Sequence, residues 1–268
     1  MEKSRNVSST YKKEVKRMAR ITCDFFSEAL QCSTSMTVLL PQPNSQIGVS
    51  SKVKQKKHPT IYLLHGLSDD HTIWTRFTSL ERYASAMGWA IVMPAAGRSF
   101  YTDMEHGYDF YKFVSEEVPT LAQSLFPLSE KREENFIAGL SMGGYGAFKV
   151  AMRNPKEFAA AASMSGSLDI NERLPAFPRD FKYIFGDRPI LGSEDDLYHL
   201  ATKIGEKAPK LYQCCGTEDH NYQANTRFRD HAIQAGLDLT FSDGPGGHDW
   251  AYWDKHIKDV LEFFEQQL

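Results

Sequence analysis

Cysteine is scarce in this chain of 268 residues, which holds four. Cys23, Cys32, Cys214 and Cys215 show no C-x-x-C spacing and no histidines at ligand spacing. That excludes the usual zinc and dithiol motifs, so no metal is expected and the thiols should be reduced and partly buried. Long apolar runs are missing as well. No stretch of eighteen apolar residues occurs, and Met1 to Arg20 has no apolar core that could act as a secretory signal. No membrane partner is expected, and the location read from this is cytoplasmic. Nor is there an excess of positive charge: the formal net charge is −3, with basic residues scattered beyond the N-terminus. A nucleic-acid partner would leave an electrostatic footprint that this chain lacks. Neither G-x-x-x-x-G-K-[ST] nor G-x-G-x-x-G appears, so no nucleotide cofactor is indicated.

What the chain does have is Asn135-Phe136-Ile137-Ala138-Gly139-Leu140-Ser141-Met142-Gly143-Gly144-Tyr145-Gly146. A short apolar run collapses into glycines around one serine and restarts with helical spacing, reading as strand, sharp turn, helix. Gly139 and Gly143 flank Ser141 in the pattern G-x-S-x-G, where side chains beside a strained serine would collide. By composition the bare pattern turns up on the order of once in ten chains of this length. Its setting between an apolar run and the helical spacing of Tyr145, Phe148, Lys149, Val150 and Met152 makes it a nucleophile elbow rather than a glycine-rich turn.

The rest of the chain is organised around that turn. Residues 1–17 are polar and charge-rich, and are expected to be a disordered extension ahead of one domain spanning 18–268. Arg20 to Phe26 and Ser33 to Leu40 read as an antiparallel pair at a sheet edge, followed by a polar loop from Asn44 to His58. Buried-type strands are then predicted at Pro59–Leu64, Trp89–Pro94, Phe158–Met164, Pro209–Gly216 and Leu237–Ser242. Helices are predicted over Phe77–Met87, Tyr108–Phe126, His220–Gly236 and Trp250–Phe264. Such alternation implies an α/β fold with a mostly parallel sheet covered on both faces. Ser167 to Lys207 breaks the rhythm with three prolines and many aromatics, and reads as an irregular, cap-like insertion over 167–207.

A serine hydroxyl is a poor nucleophile unless a base takes its proton, and the base needs a partner to hold its tautomer. Loops at the C-terminal ends of parallel strands converge on one sheet edge, so candidates are sought there. His248 lies between the last strand and the last helix, while His199, His220, His231 and His256 fall in the insertion or on predicted helices. After Gly216 the loop offers two carboxylates, Glu218 and Asp219, and its position admits either. The order Ser, Asp/Glu, His is the one that accompanies this elbow. Acyl transfer also needs donors for an oxyanion. The N–H of Met142 suits one, and Gly66 permits a backbone turn that could aim the N–H of Leu67 inward as the other.

Several segments together carry a resemblance. Leu64-His65-Gly66-Leu67 with Trp74, Tyr101-Thr102-Asp103-Met104, the elbow, Gly216-Thr217-Glu218-Asp219 and Gly247-His248-Asp249-Trp250 resemble the esterase D-like carboxylesterases, most closely the tributyrin esterases. The resemblance covers nearly everything from Met18 onward. It implies the α/β-hydrolase fold and metal-independent hydrolysis of small-molecule, short-chain acyl esters, with Ser141 as nucleophile, His248 as base and Asp219 as its partner. It also implies a habit of self-association, so a homo-oligomer is expected although no interface is legible. Trp74 and Tyr101 follow strands on the catalytic edge, which points to pocket lining, with core packing as the alternative for each. The S-formylglutathione hydrolases share much of the pattern but usually have a glycine-rich segment where this chain has Ala95-Ala96-Gly97-Arg98-Ser99-Phe100-Tyr101. Thioester hydrolysis, or acyl transfer to an alcohol on the same fold, is the alternative reading.

Overall fold

The structure is a computed structural model that describes residues 17–42 and 57–268. The extension expected over 1–17, up to its last residue, and the polar loop expected after Asn44, up to residue 56, lie outside the described residues.

Eight strands among the described residues form one sheet: β1 (Met18–Ser27), β2 (Cys32–Pro41), β3 (Thr60–Leu64), β4 (Ala90–Pro94), β5 (Asn135–Leu140), β6 (Ala160–Met164), β7 (Lys210–Gly216) and β8 (Leu239–Gly244). Their spatial order is β1-β2-β4-β3-β5-β6-β7-β8. The β1–β2 and β2–β4 pairs are antiparallel, and from β4 to β8 every pair is parallel. The central strands are buried on both faces, which is why they read as unbroken apolar runs.

Around the sheet run α1 (Ile73–Phe77), α2 (Leu80–Met87), α3 (Phe110–Lys112), α4 (Val118–Leu125), α5 (Met142–Arg153), α6 (Pro178–Phe185), α7 (Leu197–Ile204), α8 (Tyr222–Gln234) and α9 (Trp250–Glu265). Alternate strand residues divide between two cores. Tyr62 and Ile137 pack on one face with Phe148 of α5 and Phe228 of α8. Ile61 and Phe136 pack on the other with Leu80 of α2 and Phe264 of α9. The period-2 alternation of a strand thus supplies both layers from one run.

Two predicted helices are subdivided for physical reasons. The span read as Phe77–Met87 breaks between α1 and α2 because the Ser79 N–H donates to Asp254 of α9 at 2.8 Å instead of continuing a helical ladder. Gly88 stops α2 in a left-handed conformation at φ 70°. Between α3 and α4 lies one π-helical stretch, Phe113–Glu117, where Val118 donates back to Phe113. Pro119 follows and has no N–H to donate, so the register change falls where a ladder bond would be lost anyway. Within 167–207, read as irregular, α6 and α7 form two short helices of eight residues each, joined by loops.

In register, Leu140 pairs with Met164, Met164 with Cys214, and Gly216 with Gly244. The C-terminal ends of four adjacent strands therefore align, and the loops leaving them share one edge.

Candidate active site

Ser141 sits between β5 and α5 with φ 52° and ψ −116°. A side chain held there is strained by roughly 1–3 kcal/mol, so its surroundings must leave it no alternative. Glycines do this. A Cβ on Gly139 would strike the Gly143 backbone, and one on Gly143 would meet the Leu64 carbonyl oxygen at 2.5 Å. The helix start can therefore press against β3 and β5, lifting the serine to the sheet edge.

His248, between β8 and α9, reaches it. Its Nε2 is 3.0 Å from Ser141 Oγ, and its Nδ1 is 3.0 and 2.9 Å from the two oxygens of Asp219. An Nδ1–H donated to Asp219 leaves Nε2 free to accept the serine proton. The edge of Trp253 and the ring of His220 pack on the His248 imidazole at 4.9 and 4.4 Å between centroids. Asp219, just after β7, has no exposed side-chain surface and also accepts the Asn221 N–H at 2.7 Å. Burial pushes its carboxyl up, but the hydrogen bond and charge of His248 outweigh that and hold it below its usual value. Glu218, the rival carboxylate, is turned elsewhere: it accepts the Gly246 N–H and the Thr217 hydroxyl, tying down the loop that carries His248.

The two residues expected to supply oxyanion donors border the same space. Leu67 and Met142 both line a cavity of ≈ 560 Å³ that contains Ser141 and His248. Met142 is the first residue of α5, where an N–H has no partner within its helix. The Gly66–Leu67 turn is fixed by His65, which is buried: its Nδ1–H donates to the Gly66 carbonyl at 2.6 Å, and its Nε2 accepts the Ala96 N–H at 2.9 Å. Burial lowers the His65 pKa and favours the neutral ring that these two bonds require. Nothing in the sequence pattern marked His65 for this; its place directly before Gly66 was the available signal.

The profile of the Esterase family, described as "Putative esterase", matches residues 27–264. The chain belongs to this family. The acetyl esterase of Caldicellulosiruptor saccharolyticus is 30% identical over 264 residues, which is 93% of this chain and 99% of that protein. Among solved structures, the substrate-bound fluorophosphonate-binding serine hydrolase F of Staphylococcus aureus is 37% identical with a TM-score of 0.86, covering 92% of this chain and 98% of the other. The S-formylglutathione hydrolase of the same organism is 36% identical with a TM-score of 0.83, covering 92% and 99%. The protein is a carboxylic ester hydrolase on the α/β-hydrolase fold.

In this esterase the two expected lining aromatics lie one layer behind the wall. Trp74 is 1% exposed and donates its Nε1–H to the Leu64 carbonyl. Tyr101 is fully buried and donates its hydroxyl to the His65 carbonyl at 2.8 Å. The aromatic residues that do line the cavity are Phe100, Phe177, Trp250 and Trp253, with Arg98 and Arg173 among its polar ones. For Tyr101 the reason lies in the backbone: Phe100 and Tyr101 are consecutive residues at φ 48° and 51°, both buried, and this left-handed pair leaves Phe100 against the cavity and the Tyr101 ring against α5, which no periodicity reveals.

The donor atoms of Asp219, His220 and His248 lie within 4.8 Å of one another, a set that could hold a metal ion. Both ring nitrogens of His248 are already engaged, with Asp219 and Ser141. An ion there would break the serine–histidine–aspartate connection.

Proposed function

We propose that this esterase hydrolyses short-chain acyl esters through an acyl-enzyme on Ser141. The connection from Ser141 through His248 to Asp219, at 3.0 and 2.9 Å, carries this reading. Ser141 Oγ attacks the ester carbonyl as His248 Nε2 takes its proton. Asp219 holds the imidazole and stabilises its charged form, and the N–H groups of Leu67 and Met142 receive the carbonyl oxygen as it becomes anionic. His248 returns the proton to the leaving alcohol. Water then attacks the acyl-enzyme by the same route in reverse.

The wall supports the reading that acyl groups are short. Phe100 packs edge-on against Phe181 and tilted against Phe177, so the aromatic side of the cavity is backed by α6. Each methylene that fits gains only about 0.8 kcal/mol, and crowding a packed wall costs more than that. The segment 167–207 is accordingly read as the variable wall of a single domain over 18–268. Among the described residues no helix is long and apolar enough to cross a membrane. The described cysteines are free thiols, and a reducing, cytoplasmic setting is the reading that fits them. Homo-oligomerisation rests on family resemblance and is tested by sedimentation.

The deciding experiment is a series of 4-nitrophenyl esters from acetate to octanoate with S-formylglutathione alongside, after mapping fluorophosphonate labelling to Ser141. A kcat/KM maximum at the short end and label on Ser141 are expected. Label elsewhere, or none, would sink the serine mechanism. Likeness to the S-formylglutathione hydrolase favours thioester hydrolysis as the second reading, and a kcat/KM for S-formylglutathione well above every oxygen ester would select it.

A further inference from the structure

Lys149 is the one lysine among the described residues that is completely buried, and hydrolysis as outlined above gives it nothing to do. It lies on α5, the helix that begins at the nucleophile. Its Nζ donates to Thr102 Oγ1 at 2.7 Å, to Asp195 Oδ1 at 3.0 Å and to the Phe100 carbonyl at 3.3 Å. The Thr102 hydroxyl in turn donates to that same Phe100 carbonyl at 2.9 Å. These bonds converge on the left-handed pair Phe100–Tyr101, a conformation that bulky residues do not hold unaided.

Both residues of that pair lead to the reaction. Phe100 faces the cavity. The Tyr101 ring packs so closely on α5 that a Cβ on Gly146 would strike it, while its hydroxyl holds the His65 carbonyl from behind the oxyanion turn. Asp195 belongs to the 167–207 segment, and its carbonyl accepts the Tyr145 hydroxyl of α5 at 2.7 Å. One ammonium thus joins the nucleophile helix, the oxyanion support, an aromatic wall residue and the cap segment.

We propose that Lys149 is a positioning residue of the ester-hydrolysis reaction, its ammonium locking the Phe100–Thr102 turn so that the oxyanion turn and the acyl wall keep their places relative to Ser141. This rests on the esterase reading above. The charged groups acting on Lys149 are the carboxylates of Asp195 and Asp103 and the guanidinium of Arg153, with the rings of Tyr111 and Tyr145 beside it. Burial dominates and lowers the lysine from 10.5 to about 8, against the pull of Asp195. Burial raises both tyrosines, so they stay neutral through that range. The lock therefore weakens as pH rises through about 8. The folded pKa is below the unfolded one, so the unfolded chain holds more protons between about 8 and 10.5, and this group makes the fold more stable as pH rises there.

That opposition separates positioning from bulk stability. Lys149→Met and Thr102→Val would be compared with the unaltered protein on 4-nitrophenyl esters from acetate to octanoate, from pH 6 to 10, with thermal unfolding at each pH. Expected are a fall in kcat for Lys149→Met of roughly 10- to 100-fold, the scale for about 1 Å of misplacement, and a smaller fall for Thr102→Val. The acyl-length profile should broaden in both. The unaltered protein should lose kcat above about pH 8 without a matching loss of melting temperature, and Lys149→Met should lack that alkaline limb. Lowered melting temperatures with unchanged kcat, acyl profile and pH profile would overturn the proposal. If Lys149→Met does not fold, Thr102→Val and the native pH profile decide. Absence of ester turnover by the unaltered protein would instead fail the esterase reading itself.

Discussion

The elbow and the 167–207 segment meet at one cavity but are built on opposite terms. Around Ser141 the backbone of three elements is in contact through glycines, and every side chain of α5 from Met142 to Met152 is buried. Across the cavity, Leu174, Tyr183 and Leu191 are 49%, 48% and 71% exposed, and only some aromatics of the segment turn inward. The proposed chemistry sits on the part of the fold where backbone contacts are tightest. The segment that contributes Phe177 to the cavity is anchored to the core by Phe181, Ile184 and Phe185 but leaves much of its own surface in solvent.

The contrast is broken hardest at the nucleophile. Ser141→Ala should lower kcat/KM by about 10⁴-fold or more with an unchanged melting temperature, since its hydroxyl supports no core contact. Ordinary activity in that variant would remove the serine mechanism. Asp219→Asn comes next, with a loss of about 10³- to 10⁴-fold in kcat and little change in KM, because the amide favours the wrong imidazole tautomer. Glu218→Gln should fall only a few-fold, as its amide oxygen can still accept the Gly246 N–H. The reverse ranking, read from steady-state kinetics, would move the acid to Glu218.

The rigid side was the legible one. Ser141 and His248 stand at strand ends whose order and spacing are visible as runs and glycines; the loop after Gly216 admitted Glu218 or Asp219, the resemblance pointed to Asp219, and the structure brings Ser141, His248 and Asp219 together. The cap side was less so. Phe177, Phe181, Tyr183 and Phe185 look alike in sequence, yet Phe177 lines the cavity, Phe181 and Phe185 are buried behind it, and Tyr183 faces outward. Which ring points where depends on the turn at Phe177–Pro178 and on packing against Phe100, both tertiary. For Trp74 and Tyr101 the sequence left pocket lining and core packing as alternatives, and core packing is what tertiary contacts select; the work of Lys149 shows only when residues 47 and 46 positions away come to its ammonium.

A smaller effect sharpens the comparison on the soft side. Phe177→Ala should move the acyl-length optimum by one or two carbons and raise kcat/KM for octanoate by up to about 10-fold, with a modest drop in melting temperature. Tyr183→Ala should leave the profile as it was. Equal profiles in both variants would take α6 out of the wall. The smallest effect is on acid stability. Asp219 has a folded pKa below its unfolded value of 3.8, so its contribution is complete above that pH and is lost as pH falls through the folded value. Chemical denaturation should show the unaltered protein losing more stability than Asp219→Asn as pH drops below about 4.

The strand order also sets a timetable. β3 lies between β4 and β5, so the centre of the sheet closes only when segments 75 positions apart, such as Thr60 and Asn135, have found each other. Ser141 and His248 are separated by a further 107 positions. Contacts this remote must wait on loop closure, which slows folding relative to local topologies. During synthesis Ser141 precedes its hydrogen-bond partner His248 by 107 positions, and His248 comes just ahead of α9. The Ser141–His248–Asp219 connection can therefore close only after the chain has been made as far as the segment that leads into α9.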